Sequence, residues 1–324
     1  MNILAIETSC DESSVALLSG DTVTQLTASQ IDVHKVTGGV VPEVAAREHV
    51  PVMIPFVQQV LAKANLQPHQ IDRIAVTAGP GLITSLLVGV ETARALAYGW
   101  QKPIFPTNHI EGHIAANFLV HKDIPFPALA LVVSGGHTEL LYMPKPGVYE
   151  LIGATRDDAA GECFDKCARV LGLPYPGGPA ISKLAKDGDP LAYSFPSPLA
   201  NQPTFDFSFS GLKTAVLYFH RDHPDAKLED VCAGVQEAIV NSLHIKTQKA
   251  VEQYKAKSVL VGGGVAANPL LRERLNTLSV PVFVPPFEYC TDNAAMIAAA
   301  CRLHDTPTEL FAFRADPAWE LTPR

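Results

Sequence analysis

Residues 107–119 read TNHIEGHIAANFL. His109 and His113 stand four apart, with Glu111 between them. On a helix the two imidazoles fall roughly 40° apart on one face, where they can hold one metal ion. A zinc protease uses His-Glu-x-x-His, in which the glutamate directly follows the first histidine and serves as general base. Here Glu111 comes two residues after His109 and projects about 180° from the middle of the histidine face. The spacing therefore allows a metal site and argues against a protease. Two histidines that only cap or line a core fit the same residues. A metal site needs a third ligand, and Asp292 offers one. TDNAAMIAAACRL, 291–303, is a polar turn leading into an Ala-rich helix, which puts Asp292 in the first turn and close to the interior. A buried carboxylate needs a partner. Two imidazoles and one carboxylate make a facial metal site with open positions.

Other acids and glycines could do chemistry. Asp11 and Glu12 sit in the turn of ILAIETSCDESSVALLSG, where an acid could face a metal-bound phosphate. Asp157, Asp158, Glu162 and Asp165 crowd RDDAAGECFDK. A helix over 159–171 would set Glu162, Asp165 and Lys166 near one face, although a solvated acidic helix start explains them equally. Glycine-bearing turns leave strands at 79–81, 135–136, 177–178 and 262–264. Such turns can aim backbone amides at phosphate oxygens. None matches the Walker pattern or the dinucleotide fingerprint; SGLKT, 210–214, resembles a Walker fragment without its first glycine. Singly each turn is a weak signal. Together with two opening hairpins they predict a nucleotide held in a cleft between two similar halves.

The elements that must position these residues follow an α/β plan. Residues 3–20 read as strand, polar turn, strand, and 128–143, ALALVVSGGHTELLYM, repeat that plan. In the first half, 71–78 read as a strand, GPG turns the chain, and LITSLLVGVETARALAYGW reads as a largely buried helix. In the second, 258–263 read as a strand, and NPLLRERL opens a helix with Asn268 as N-cap and Pro269 at its first position. VPVFVPP, 280–286, reads as a further strand. Residues 144–230 are poorer in strand signals and predict a mainly helical insertion with loops. Strands alternating with helices imply open sheets with helices on their faces.

The bulk numbers fit an ordinary globular protein: 324 residues, 47% hydrophobic and 18% charged. No apolar stretch long enough to span a membrane runs unbroken, and the start lacks the marks of a signal peptide. Six cysteines form no C-x-x-C pair, which fits reduced thiols in a cytoplasm. Cys163 and Cys167 read as a buried pair on one helix face. The net charge of −8 argues against a broad basic surface gripping nucleic acid unaided. Lys246, Lys249, Lys255 and Lys257 cluster as a local basic patch, which a solvated helix face explains equally well.

Five stretches together resemble one family. TNHIEGHI (107–114), LVVSGGHT (131–138), GECFDK (161–166), GGGVAAN (262–268) and TDNAAMI (291–297) are similar, in order, to the bacterial tRNA threonylcarbamoyladenosine transferases. These are counterparts of the KEOPS catalytic subunit, formerly labelled O-sialoglycoprotein endopeptidases. The resemblance runs from about residue 3 to about 302; Ala294 stands where many relatives carry glycine. It implies an actin-like, two-lobed ATPase fold of the sugar kinase/Hsp70/actin superfamily. The lobes would be 1–125, with the His pair, and 126–324, with an insertion around 144–230. It implies one iron or zinc ion on His109, His113 and Asp292. It places ATP or threonylcarbamoyl-AMP against Val132, Val133, Ser134, Gly135 and Gly136, with Asp165, Gly178 and Asn268 also lining the site. Asp11 and Glu12 fall where relatives carry acids near the reacting centre.

The activity implied is transfer of threonylcarbamoyl from its adenylate to the adenosine 3′ of the anticodon, in tRNAs reading codons that start with A. The implied partners are tRNA, a smaller paralogous actin-like subunit and a P-loop ATPase subunit, in the cytoplasm and without a membrane. The rival readings are a metalloprotease, which the position of Glu111 disfavours, a small-molecule kinase of the same superfamily, which has no use for a His-His-Asp triad, and a non-catalytic actin-like scaffold.

Overall fold

A computed structural model describes residues 1–321. In chain order the elements are β1 (Asn2–Glu7), β2 (Glu12–Ser19), β3 (Thr22–Ser29), α1 (Ile31–Lys35), α2 (Pro42–Lys63), β4 (Arg73–Gly79), α3 (Ile83–Trp100), β5 (Ile104–Asn108) and α4 (His109–Ala115). Then come β6 (Ala128–Val133), β7 (Thr138–Lys145), β8 (Val148–Ala154), α5 (Ala160–Val170), α6 (Gly177–Ala185), α7 (Ser210–Asp222) and α8 (Leu228–Tyr254). The rest are β9 (Ser258–Gly262), α9 (Pro269–Leu275), β10 (Val282–Phe283), α10 (Phe287–Cys290) and α11 (Ala294–Cys301).

Two compact units form, one from residues 1–122 with 285–321 and one from 123–284. The C-terminal stretch thus packs with the first unit, where a single boundary near 125 would assign it to the second. The reason is α11, whose apolar, Ala-rich body needs a sheet face and finds it on β1 and β2.

Among the described residues each unit holds one five-stranded sheet, ordered β3-β2-β1-β4-β5 and β10-β9-β6-β7-β8. The plans match. β1 pairs antiparallel with β2 and parallel with β4; β6 pairs antiparallel with β7 and parallel with β9. The duplication read from the hairpins is therefore present at the level of topology.

The first sheet shows why the sequence folds this way. Side chains alternate across a strand. Leu4, Ile6, Val15, Leu17, Ile74 and Val76 face a core with Met53, Val57 and Val60 of α2 and Val90 and Ala93 of α3. Their neighbours Ile3, Ala5, Ala16, Leu18 and Ala75 face Ala294, Ala295, Ile297 and Ala298 of α11. Small residues on both sides of that second face let α11 lie close to the sheet. Burial on both faces explains why residues 3–6 of β1 are an unbroken apolar run.

Several expectations need correction. The strand expected over 280–286 shrinks to Val282–Phe283, because Pro281, Pro285 and Pro286 offer no N–H to a ladder. β8 lies inside the stretch expected to be helical and pairs with β7; α5, α6 and α7 supply the helical remainder. Lys246 is not on a solvated face. It is buried, and its Nζ donates to the carbonyls of Gln202 and Thr204. Cys163 and Cys167 are a buried pair, with Sγ atoms 4.0 Å apart.

The SGLKT fragment opens α7, and Asp157 occupies the place an anion would take there. Its carboxylate accepts from Phe209 N (2.7 Å), Ser210 N (3.1 Å), Ser208 Oγ (2.6 Å) and Ser210 Oγ (2.9 Å). Burial opposes its charge, but these bonds hold its carboxyl below the ordinary value. Asp157→Ala is expected to cost about 1–2 kcal/mol, as loss of a helix cap does. Thermal melts of the variant should fall by about 2–8 °C.

Candidate metal centre

All three proposed ligands belong to the first unit. β5 ends at Asn108, whose Oδ1 accepts from Ile110 N (2.8 Å) and Glu111 N (3.3 Å) and so caps α4. His109 is the first residue of that helix and His113 follows one turn later. Helix α11 crosses α4 at Gly112, beside Ile297 and Met296. Asp292 lies just outside α11, before its N-cap Asn293, whose Oδ1 accepts from Met296 N at 2.9 Å. This differs by one short step from a place within the first turn. Freed from helical geometry, Asp292 reaches toward α4.

The three side chains converge. Asp292 Oδ1 is 3.6 Å from His109 Nε2 and 3.2 Å from His113 Nε2. One ligand atom from each residue lies within 4.8 Å of the others. The imidazole rings meet edge to face, 4.6 Å apart at 78°. Both histidines are buried, and Asp292 is mostly covered. His113 Nε2 makes no hydrogen bond in proper geometry despite the nearby carboxylate. A buried nitrogen without a hydrogen bond is costly, and a metal ion would satisfy it. The donor set and this atom fit a metal site.

Electrostatics divides the two histidines. Burial pushes His109 down, but the carboxylates of Asp292 and Glu7 outweigh it and raise it to about 9. Burial lowers His113; Asp292 offsets part of that, and the charge on His109 adds to it. His113 is thus held neutral with its lone pair available. Beside them, Asp11 is buried and Glu12 is partly buried at the start of β2. Burial, then Asp292 and Asp11, push the Glu12 carboxyl well up.

The turn carrying these acids is held from behind by His49 of α2. Its Nδ1 lies 2.7 Å from Ser13 Oγ, and its Nε2 lies 3.1 Å from the Cys10 carbonyl. The carbonyl can only accept, so Nε2 carries the proton and Nδ1 accepts. Burial, partly offset by the Cys10 carbonyl, holds His49 below 6.5. As pH falls through about 6.5, the unfolded chain takes up a proton that the folded chain refuses. His49 therefore contributes stability that is lost from pH 7 toward pH 5. Melting temperatures across that range should fall less steeply for His49→Gln.

The candidates of the second unit surround a set of open glycines. Val132 and Val133 end β6, and the Ser134 loop follows. Ser134 Oγ accepts from Gly136 N (3.3 Å) and His137 N (3.1 Å). A methyl group at Gly135, Gly136 or Gly264 would meet nothing within 4 Å, so space lies before these backbones. Asp165 Oδ1 accepts from Gly177 N at 2.6 Å, fixing the start of α6 next to Gly178. Asn268 caps α9 through Leu271 N (3.1 Å) and donates to Gln236 Oε1 (2.8 Å), so it has a structural task as well. The 79–81 turn, in the first unit, is different. A methyl at Gly81 would lie 2.6 Å from the Ser9 carbonyl, so that turn serves packing.

The family model described as tRNA N6-adenosine threonylcarbamoyltransferase matches residues 21–299. The protein of that name from Kosmotoga olearia is 49% identical over 303 residues, 92% of each chain. The one from Anaeromyxobacter dehalogenans is 48% identical over 334 aligned positions, covering 98% of this chain and 99% of its own. This chain belongs to the tRNA N6-adenosine threonylcarbamoyltransferase family.

Its actin-like fold is shared far beyond the threonylcarbamoyltransferases. HypF of T. kodakarensis superposes with a TM-score of 0.62 at 13% identity, over 93% of this chain and 48% of its own. Component A of the Acidaminococcus fermentans (R)-2-hydroxyglutaryl-CoA dehydratase gives 0.56 at 14%, over 94% and 99%. No helix among the described residues is long and apolar enough to cross a membrane.

In this threonylcarbamoyltransferase, Glu111 is engaged away from the histidine pair. His304 Nε2 donates to its Oε2 at 2.7 Å, and the carboxylate is buried there. The base that a protease would need is tied elsewhere. Sequence reading missed Glu7, Ser9 and Thr77, which stand behind His109. One signal was available for Glu7: a carboxylate directly following the apolar run 3–6.

Proposed function

We propose that the protein is a metal-dependent enzyme that moves the threonylcarbamoyl group of threonylcarbamoyl-AMP to the exocyclic amine of the adenosine 3′ of the anticodon, in tRNAs reading codons that start with A. The observation that carries this reading is the convergence of His109, His113 and Asp292 in a chain that matches the family over residues 21–299. His109 Nε2, His113 Nε2 and an Asp292 oxygen would hold one iron or zinc ion. When bound, the ion supplies Lewis acidity toward a phosphate or carbonyl oxygen.

The remaining work falls to the chain. An adenine amine is a poor nucleophile because its lone pair is delocalised into the ring, so it needs an activated carbonyl. The N6 lone pair forms a bond to the carbamoyl carbon. The bond from that carbon to the phosphate oxygen breaks, AMP leaves with the electron pair, and N6 gives up one proton. We assign that proton to the Asp11–Glu12 pair, one carboxylate of which takes it up. The Ser134–Gly136 loop would bind the AMP phosphate; Val132, Val133, Asp165, Gly178 and Asn268 would line the adenylate. ATP is the other nucleotide this loop could take. The target adenosine lies in a single-stranded loop, so its presentation costs less than extraction from a duplex.

The net charge of −8 supports tRNA capture with help from the two partner subunits, in the cytoplasm. For the smaller paralogous subunit, exposed Val50 and Ile54 on α2 and Ile83 and Leu87 on α3 offer an apolar surface on adjoining helices.

Reconstitution tests the reading. Purified protein, both partner subunits, threonylcarbamoyl-AMP and unmodified tRNA are mixed, and digested nucleosides are weighed by mass spectrometry. The modified nucleoside should form, vanish with a chelator, and return with iron or zinc. Its absence with metal-loaded protein would overturn the assignment.

A further inference from the structure

We propose that Glu7 is the positioning carboxylate of the metal centre: it fixes His109 as the Nδ1–H tautomer and so presents Nε2 to the ion. This rests on the reading of His109, His113 and Asp292 as metal ligands.

Glu7 ends β1 and is fully buried. Oε1 accepts from Ser9 N at 2.5 Å. Oε2 accepts from Thr77 Oγ1 at 2.6 Å and faces His109 Nδ1 at 3.1 Å. Among the described residues its ion pair is with His109. A buried carboxylate without a charged partner is costly, so the fold keeps an acid here for the imidazole. Ser9 Oγ also lies 3.1 Å from Nδ1, but a hydroxyl can donate or accept. It leaves the tautomer open, whereas a carboxylate can only accept and thereby settles it. Metal-bound histidines are commonly oriented by such a carboxylate on the other ring nitrogen.

The same geometry explains why a glutamine cannot substitute. Ser9 N–H on one oxygen, and Thr77 O–H and His109 Nδ1–H on the other, all donate. An amide has one acceptor end. Its NH2 would meet a donor on one side or the other.

The test measures Zn²⁺ affinity of the full chain by competition with a chelator, with the Co²⁺ absorption spectrum as a second readout of ligand geometry. Glu7→Gln should weaken Zn²⁺ binding about 10–100-fold and alter the Co²⁺ spectrum. Thr77→Val removes another partner of the same carboxylate but leaves Glu7 and His109 in place. It should lower the melting temperature while keeping Zn²⁺ affinity within about threefold, because losses of 10–100-fold belong to the group that bonds directly to the metal ligand. Wild-type Zn²⁺ affinity in folded Glu7→Gln would overturn the inference, and so would an equal loss in Thr77→Val. If Glu7→Gln does not fold, Glu7→Asp decides. Its carboxylate keeps the charge but is about 1.5 Å short, and unchanged affinity would again overturn the proposal. Failure of the wild-type chain to bind Zn²⁺ or Co²⁺ would instead sink the metal-site reading beneath it.

Discussion

His113→Ala will lose the transfer reaction by about a thousandfold or more while keeping its fold. Removing a Lewis acid costs several kcal/mol of transition-state stabilisation, and each 1.36 kcal/mol is a factor of ten. The fold should tolerate the change because His113 Nδ1 is buried without a hydrogen bond and Nε2 meets the Asp292 carboxylate at 3.2 Å. Deleting the unsatisfied Nδ1 offsets part of the packing lost with the ring. The check pairs a melting curve with single-turnover transfer of the metal-loaded, partner-supplied protein. A melt within a few degrees of wild type with transfer abolished supports the site. A low melt with transfer intact would make His113 structural.

The second large effect concerns the second unit. Gly161→Ala will weaken adenylate binding about 10–100-fold. The first turn of α5 presses on the Ser134 loop here: Gly161 N donates to the Ser134 carbonyl at 3.1 Å. A methyl at Gly161 would lie 2.6 Å from that carbonyl oxygen and 2.9 Å from Gly135 Cα and N. These are backbone atoms, so the loop itself must move. Overpacking of this kind costs about 1–3 kcal/mol, and every 1.4 kcal/mol is tenfold in affinity. Titration of AMP or a non-hydrolysable adenylate, followed calorimetrically, gives the answer. Unchanged affinity would place the nucleotide away from Ser134, Gly135 and Gly136.

Much of this was legible in the sequence because it is local. The two hairpins announce themselves by apolar runs around a polar turn, and the cap at Asn268 with Pro269 is a two-residue signal. The His109–His113 spacing needs only the helical repeat. What stayed hidden is long-range. Glu7 and His109 are 102 residues apart in sequence, and no local pattern ties them. α2 was unread because Pro51 and Pro55 lie inside it, and interior prolines argue against a helix. Lys246 looked like a solvated charge because nothing nearby in sequence shows the Gln202 and Thr204 carbonyls that receive it. Among four similar glycine turns, sequence could not tell the open Ser134 loop from the packed turn at Gly81. That distinction depends on what approaches each backbone.

One measurement reaches the central claim most directly. Cells are depleted of this protein and rescued with wild type or with His113→Ala, and nucleosides from total tRNA are weighed by mass spectrometry. The account predicts that threonylcarbamoyladenosine falls on depletion, returns with wild type, and stays low with His113→Ala. An unchanged level of the modified nucleoside on depletion, or full rescue by His113→Ala, would contradict it.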